Sequence, residues 1–172
     1  GHGPAWENSL FEDNAEFGLG MQLAQNAVRG RLAEYIEKIA EGAKEAGDNE
    51  MVTACTEYIE TMGSTRANDE KTKTLVAKLE ELAKGDCAGA ELAKKTLADK
   101  DFLAKKSVWI LGGDGWAYDI GFGGVDHASA SGENINILVF DTEVYSKTGG
   151  QASKVTTCGS VAQFAARGKA SK

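Results

Sequence analysis

Between about Phe17 and Ala46, apolar side chains recur at Ala24, Val28, Leu32, Tyr35, Ile36, Ile39 and Ala43. Steps of three and four place them on one stripe, which predicts a long amphipathic helix. Asp48 or Asn49 can accept hydrogen bonds from the first free amides of a second helix, with Met51, Val52, Cys55, Ile59 and Met62 on one side. Gly63-Ser64 ends it. Asn68 or Asp69 is the expected cap of a third, whose stripe is Leu75, Val76, Leu79, Leu82 and Ala83. A fourth is expected from Ala88 to about Ala98. Charges between the stripes, such as Glu80 and Glu81, read as solvated faces.

The period changes at Ser107. Ser107-Val108-Trp109-Ile110-Leu111 is a short apolar run before Gly112-Gly113, the pattern of a buried strand followed by a tight turn. Tyr118 to Ser131 reads as a helix, and Ile135 to Asp141 as a second buried strand. A strand, a crossover helix and a strand predict a parallel pair with a right-handed connection. Ligands of such sheets bind at the carboxyl ends of the strands. Those ends are Gly113-Asp114-Gly115 and Asp141-Thr142-Glu143.

The fold class is therefore α/β: a parallel sheet with flanking helices and a helical insert at about 47–104, ahead of a motif core at 107–168. Residues 1–172 are expected to form one partial domain, since the only proline is Pro4 and no linker composition interrupts the chain. The absence of an initiator methionine and the lysine-rich end, Gly168 to Lys172, fit a piece of something longer. The start lacks the basic and apolar regions of a secretory leader.

Composition narrows the function classes. A net charge of -7 argues against nucleic acid as a partner, because phosphates need a basic face. The longest apolar run, Ile135 to Phe140, is far short of the roughly 20 residues that cross a bilayer, so no membrane partner is expected. Cys55, Cys87 and Cys158 lie too far apart for a C-x-x-C pair and read as reduced thiols. With His2 and His127 as the only histidines, a structural zinc site has little support. Trp6, Trp109 and Trp116 are too scattered for a stacking platform, and core packing is expected for the first two. Lys169 and Lys172 read as a solvated tail, and His127 as a structural residue of the crossover helix.

The candidate chemistry lies at the strand ends. Glycines flanking Asp114 let the backbone turn and approach a ligand, while the aspartate projects a hard oxygen. A helix that starts just beyond offers its amides to a phosphate. Mg2+ prefers octahedral oxygen ligation shared with phosphates. Thr142 and the Val144 carbonyl come to the same edge, and Thr148-Gly149-Gly150 can add backbone donors. A Gly-Asp-Gly by itself is more often a turn. The strand before it, the glycine-rich helix after it and the second polar strand end make the combination stronger, and together they resemble the thiamine-diphosphate motif.

Longer stretches sharpen the resemblance. Gly112 to Gly121, Gly124-Val125-Asp126-His127, Asp141 to Ser146, Thr148 to Lys154, Gly3 to Trp6 and Asn8 to Gly18 are similar to the pyruvate:ferredoxin (flavodoxin) oxidoreductases. The middle, about Gly47 to Lys100, resembles them only as a helical insert of variable sequence. The resemblance implies that Asp114, Thr142 through its hydroxyl and Val144 through its carbonyl hold Mg2+. Gly113, Gly115 and Trp116 would line the diphosphate and thiazolium side, and Thr148 and Gly149 would supply donors.

It also implies oxidative decarboxylation of pyruvate with CoA to acetyl-CoA and CO2. Electrons would pass through [4Fe-4S] clusters, held by cysteines outside this segment, to ferredoxin or flavodoxin. The glutamate that activates the cofactor and the groups that grip pyruvate would come from the remaining domains of a homodimer. The setting would be the cytoplasm, or an anaerobic organelle such as a hydrogenosome. The same segment occurs in fusions that deliver electrons to NADP, and a phosphate-binding or assembly role without activity is the other reading. One position departs from the family. Lys147 stands where an asparagine near the reacting thiazolium is usual, which makes it the catalytic position most open to test.

Overall fold

The structure is a computed structural model that describes residues 4–170. Gly3 of the first matched segment, His2, and Ser171 and Lys172 of the tail lie outside the described residues. The chain divides into two compact units, one spanning Ala24–Lys106 and the other combining the described residues up to Leu23 with those from Ser107 onward.

The helical unit holds most of α1 (Asn14–Ala46), then α2 (Asn49–Thr61), α3 (Thr65–Leu82), α4 (Ala88–Ala98) and a 3₁₀ turn at Lys100–Phe102. The insert expected over 47–104 lies inside this unit, which also takes α1 from Ala24. Asp48 caps α2 as expected, accepting from the Met51 amide at 3.0 Å. The third helix differs. It begins at Thr65 after Ser64, and neither Asn68 nor Asp69 caps it. Asn68 is instead fully buried inside α3, where its Oδ1 accepts from Arg29 Nη2 at 3.0 Å and from the Lys105 amide at 2.9 Å. A residue type that usually starts helices was taken into the core because an arginine and a free amide needed an acceptor there.

The core of this unit takes Leu32, Ile36 and Ile39 of α1, Met51 and Cys55 of α2, and Leu75 and Leu79 of α3 from the predicted stripes, and adds Tyr58 of α2, while Ile59 and Met62 only pack against it. Val76, Leu82 and Ala83 pack against it half-buried. Burial, reinforced by the Asp48 charge, pushes the Cys55 thiol up to about 11, so it stays protonated and inert at neutral pH. Cys87 and Cys158 are exposed, and all three thiols are free. Glu80 and Lys84 face solvent, and the Glu80–Lys100 pair at 4.0 Å is exposed on both sides. Glu80→Ser and Lys84→Ser should each shift unfolding free energy by no more than about 0.5 kcal/mol in a urea titration. A larger loss would give these faces a packing role they do not show.

In the other unit, β1 (Val108–Gly113) and β2 (Ile135–Phe140) are parallel, with Val108 opposite Ile135 and Gly113 opposite Phe140. The predicted α/β class and parallel pairing hold. Gly112 and Gly113 continue the strand instead of turning, because both are paired with β2. The crossover starts immediately afterwards, as a π-helical segment at Gly115–Ile120 and then α5 (Phe122–Ala130). Two further short strands, β3 (Val144–Tyr145) and β4 (Gln151–Ala152), pair antiparallel.

The strands are not buried on both faces as expected. Ile110 is buried against Gly18 of α1, with Ala15, Leu19, Trp116, Ala117 and Ala128 in the same cluster. Trp109, Leu111, Leu138 and Phe140 are exposed on the sheet's other face. The tryptophans reverse the expectation: Trp6 and Trp109 are 75% and 57% exposed, whereas Trp116 is 1% exposed. Among the described residues no helix is long and apolar enough to cross a membrane.

Candidate functional site

Parallel pairing puts the carboxyl ends of β1 and β2 side by side, so Asp114 meets the Asp141–Val144 segment. Asp114 is fully buried. Its Oδ1 accepts from the Thr142 amide at 2.9 Å and lies 3.3 Å from Thr142 Oγ1. Thr142 Oγ1 in turn lies 3.2 Å from the Val144 carbonyl. Three oxygens of three chemical kinds, carboxylate, hydroxyl and carbonyl, thus converge within two contacts.

The proton count matters here. Thr142 has one hydroxyl proton and two acceptors beside it, so at any moment one oxygen–oxygen contact has no hydrogen between its atoms. Oxygens gathered with too few protons are what a hard cation satisfies. Neighbouring ligands of octahedral Mg2+ at 2.0–2.1 Å lie about 2.9–3.0 Å apart, close to the spacings found. The donor set fits Mg2+ with only one carboxylate. Among the described residues no group of three or more His, Cys, Asp or Glu side chains that could hold a metal occurs.

A cavity of about 250 Å³ opens beside this cluster, and Gly113, Asp114, Gly115, Val144, Lys147 and Thr148 line it. Lys147 and Thr148 are both exposed. Thr148 Oγ1 donates to Gln151 Oε1 at 2.8 Å. Gly149 is not on the wall. Its amide donates to the Tyr145 carbonyl at 3.3 Å, which closes the turn. Trp116 is not on the wall either. It is packed in the core, where Gly112 lets its ring come so close that a Cβ there would sit 2.2 Å from it. Gly115 is required for space as well. A Cβ at that position would meet the Tyr145 ring at 2.2 Å. Neither Gly113 nor Gly115 has a positive φ, so close approach, not a left-handed turn, accounts for glycine at 115.

Several contributors escaped the sequence reading. Ser153 and Thr156 are buried, and Ser153 Oγ reaches Asp114 Oδ2 at 3.4 Å. Tyr118 OH lies 3.5 Å from Asp141 Oδ2; burial first, then the Asp141 and Asp114 charges, hold its phenol above the usual tyrosine range. Burial and then Asp119 do the same to Tyr145. Lys169 is not a solvated tail residue. Its Nζ donates to the Ser153 and Lys154 carbonyls at 2.5 and 2.9 Å. Ser153 does sit in the matched Thr148–Lys154 stretch, but a serine after a glycine turn carries no signal of its own. His127, expected to be structural, is exposed in the last turn of α5.

The cleft lies at the carboxyl ends of the parallel strands, the place where sheets of this kind bind their ligands. No family model matches the chain. The pyruvate-flavodoxin oxidoreductase of Klebsiella pneumoniae is 49% identical over 169 residues, covering 98% of this chain and 14% of that protein. The pyruvate:ferredoxin oxidoreductase of Moorella thermoacetica is 48% identical over 177 residues, covering 100% of this chain and 14% of that protein. The mitochondrial pyruvate dehydrogenase [NADP(+)] of Euglena gracilis is 45% identical over 169 residues, covering 98% of this chain and 9% of that protein. The chain belongs to the pyruvate:ferredoxin (flavodoxin) oxidoreductase family of oxidoreductases. It spans about 14% of the length of the first two relatives. At 98–100% coverage these matches extend over residues 47–100 as well.

Proposed function

We propose that this chain is the segment of a pyruvate oxidoreductase that binds thiamine diphosphate through Mg2+. The observation that carries the reading is the convergence of Asp114 Oδ1, Thr142 Oγ1 and the Val144 carbonyl at 3.3 and 3.2 Å beside a cavity. Asp114 supplies the negative charge, while Thr142 and Val144 supply neutral oxygens and leave room for the diphosphate to complete the shell. Gly113 and Gly115 keep the wall low, and Thr148 presents a hydroxyl at the rim. Bound thiamine diphosphate would supply the carbon nucleophile and electron sink that decarboxylation of a 2-oxoacid needs. Among the described residues Lys147 is the one cation on the cavity wall, and it can draw in an anionic group such as a carboxylate or phosphate.

The whole protein, on this reading, converts pyruvate and CoA to acetyl-CoA and CO2. It passes electrons through [4Fe-4S] clusters held by its other domains to ferredoxin or flavodoxin, as a homodimer in the cytoplasm or an anaerobic organelle. The Euglena relative supports a second reading, in which the same segment serves a protein that reduces NADP. The segment in isolation is proposed to be inactive, because the groups that activate the cofactor lie elsewhere.

The test is removal of the metal. In the full-length protein, thiamine diphosphate retained on a desalting column with Mg2+ should be lost after treatment with EDTA and return on adding Mg2+. Retention that ignores the metal would sink the reading.

A further inference from the structure

We infer that Ser153 and Thr156 are positioning residues for the divalent-cation and diphosphate site, through a buried hydroxyl relay that aims Asp114 and fixes the Thr142–Val144 turn. The inference rests on the proposed Mg2+ site but concerns residues outside it.

Both side chains are buried, at 3% and 2% exposure, so solvent cannot substitute for their bonds. The relay's direction follows from counting protons. The Glu143 carbonyl can only accept, and Thr156 Oγ1 donates to it. That uses the single hydroxyl proton of Thr156. The same oxygen accepts from the Ser153 amide at 2.8 Å. Thr156 therefore has no proton for Ser153 Oγ, 3.4 Å away, and the Ser153 hydroxyl is left to donate. Its two acceptors are Thr156 Oγ1 and Asp114 Oδ2, each at 3.4 Å, and a carboxylate is the stronger acceptor.

Two consequences bear on the metal. Ser153 occupies Oδ2 of Asp114, which leaves Oδ1 as the oxygen turned toward Thr142. Thr156 holds Glu143, the residue between the two other proposed ligands, whose φ of 59 is unusual for a non-glycine. A residue in that region persists only where its surroundings over-determine it. Lys169 anchors the far side of the relay by donating to the Ser153 carbonyl. Groups that orient metal ligands from behind typically change metal affinity by about 10–100-fold when removed.

The experiment uses full-length protein with thiamine diphosphate, replaces Mg2+ by Mn2+, and reads Mn2+ affinity and the bound Mn2+ electron paramagnetic resonance spectrum. Asp114→Ala tests the underlying site. If it binds Mn2+ like the wild type, the Mg2+ reading itself fails and the relay fails with it. Given loss in Asp114→Ala, Thr156→Val should weaken Mn2+ binding about tenfold or more and broaden the spectrum. Thr156→Ser, which keeps the hydroxyl, should restore affinity to within a few-fold. Ser153→Ala removes one hydroxyl without adding bulk and decides the matter if Thr156→Val does not fold. Wild-type Mn2+ affinity and spectrum in Ser153→Ala and in any folded Thr156→Val would overturn the inference.

Discussion

Asp114→Ala in the full-length protein should abolish Mg2+-dependent binding of thiamine diphosphate. Asp114 is the only carboxylate in the proposed ligand set, and its Oδ1 is the oxygen that both Thr142 groups face. Thr142 and Val144 offer neutral oxygens only, and two neutral ligands do not offset the cost of stripping water from Mg2+. Alanine also deprives the Thr142 amide of its acceptor, a loss of about 1–3 kcal/mol if the amide stays buried. Asp114→Asn separates the two effects. It keeps an oxygen for the Thr142 amide, so its thermal midpoint should stay near the wild type, while the missing charge should still cost most of the metal affinity. Equilibrium dialysis of the cofactor at several Mg2+ concentrations gives the answer. Unchanged affinity and metal dependence in both variants would rule out the assignment of Asp114.

How much of this was legible beforehand depends on the kind of signal. The helices of the Ala24–Lys106 unit were readable because Leu32, Ile36, Leu75 and Leu79 follow helical spacing, and all four lie in that unit's core. The parallel pair was readable because two apolar runs flank a crossover of the right length. The cap of α3 was misread, since Asn68 looks like a helix starter until Arg29 and Lys105, remote in sequence, are known to need its oxygen. Strand burial was overestimated because an apolar run does not say how many faces are covered, and Trp109 and Phe140 are exposed here. At the site, the oxygens of Asp114, Thr142 and Val144 lie in series, Asp114 to Thr142 at 3.3 Å and Thr142 to Val144 at 3.2 Å. Trp116 went to the core because Gly112 leaves space for its ring, a pairing between neighbours on a strand and a helix that spacing alone does not reveal. Ser153 and Thr156 were invisible for a similar reason: a hydroxyl's role is set by what surrounds it.

Lys147→Asn carries the second large effect. Lys147 is exposed on the rim of the cavity, between Ser146 and Thr148. The resemblance implies an asparagine at this position, a neutral donor near the reacting centre. An ammonium in its place could stabilise a developing oxyanion, but it would be repelled by the positive thiazolium. Its long stem lets it swing toward solvent or the diphosphate, which leaves the reacting centre one preorganised donor short. One such donor is worth about 3 kcal/mol, or roughly a hundredfold in rate. The asparagine variant should therefore release CO2 from pyruvate up to about a hundredfold faster in a single turnover, with thiamine diphosphate affinity little changed. An equal or slower rate would mean that lysine is a working substitute at this position.

Asp114, Thr142 and Val144 are proposed to form one metal site. Its most direct measurement is an anomalous-difference map from crystals of the full-length protein grown with Mn2+ and thiamine diphosphate. A single strong peak is expected within about 2.3 Å of Asp114 Oδ1, Thr142 Oγ1 and the Val144 carbonyl, with the diphosphate completing the shell. A peak held by other residues, or a bound diphosphate with no metal at Asp114, would contradict it.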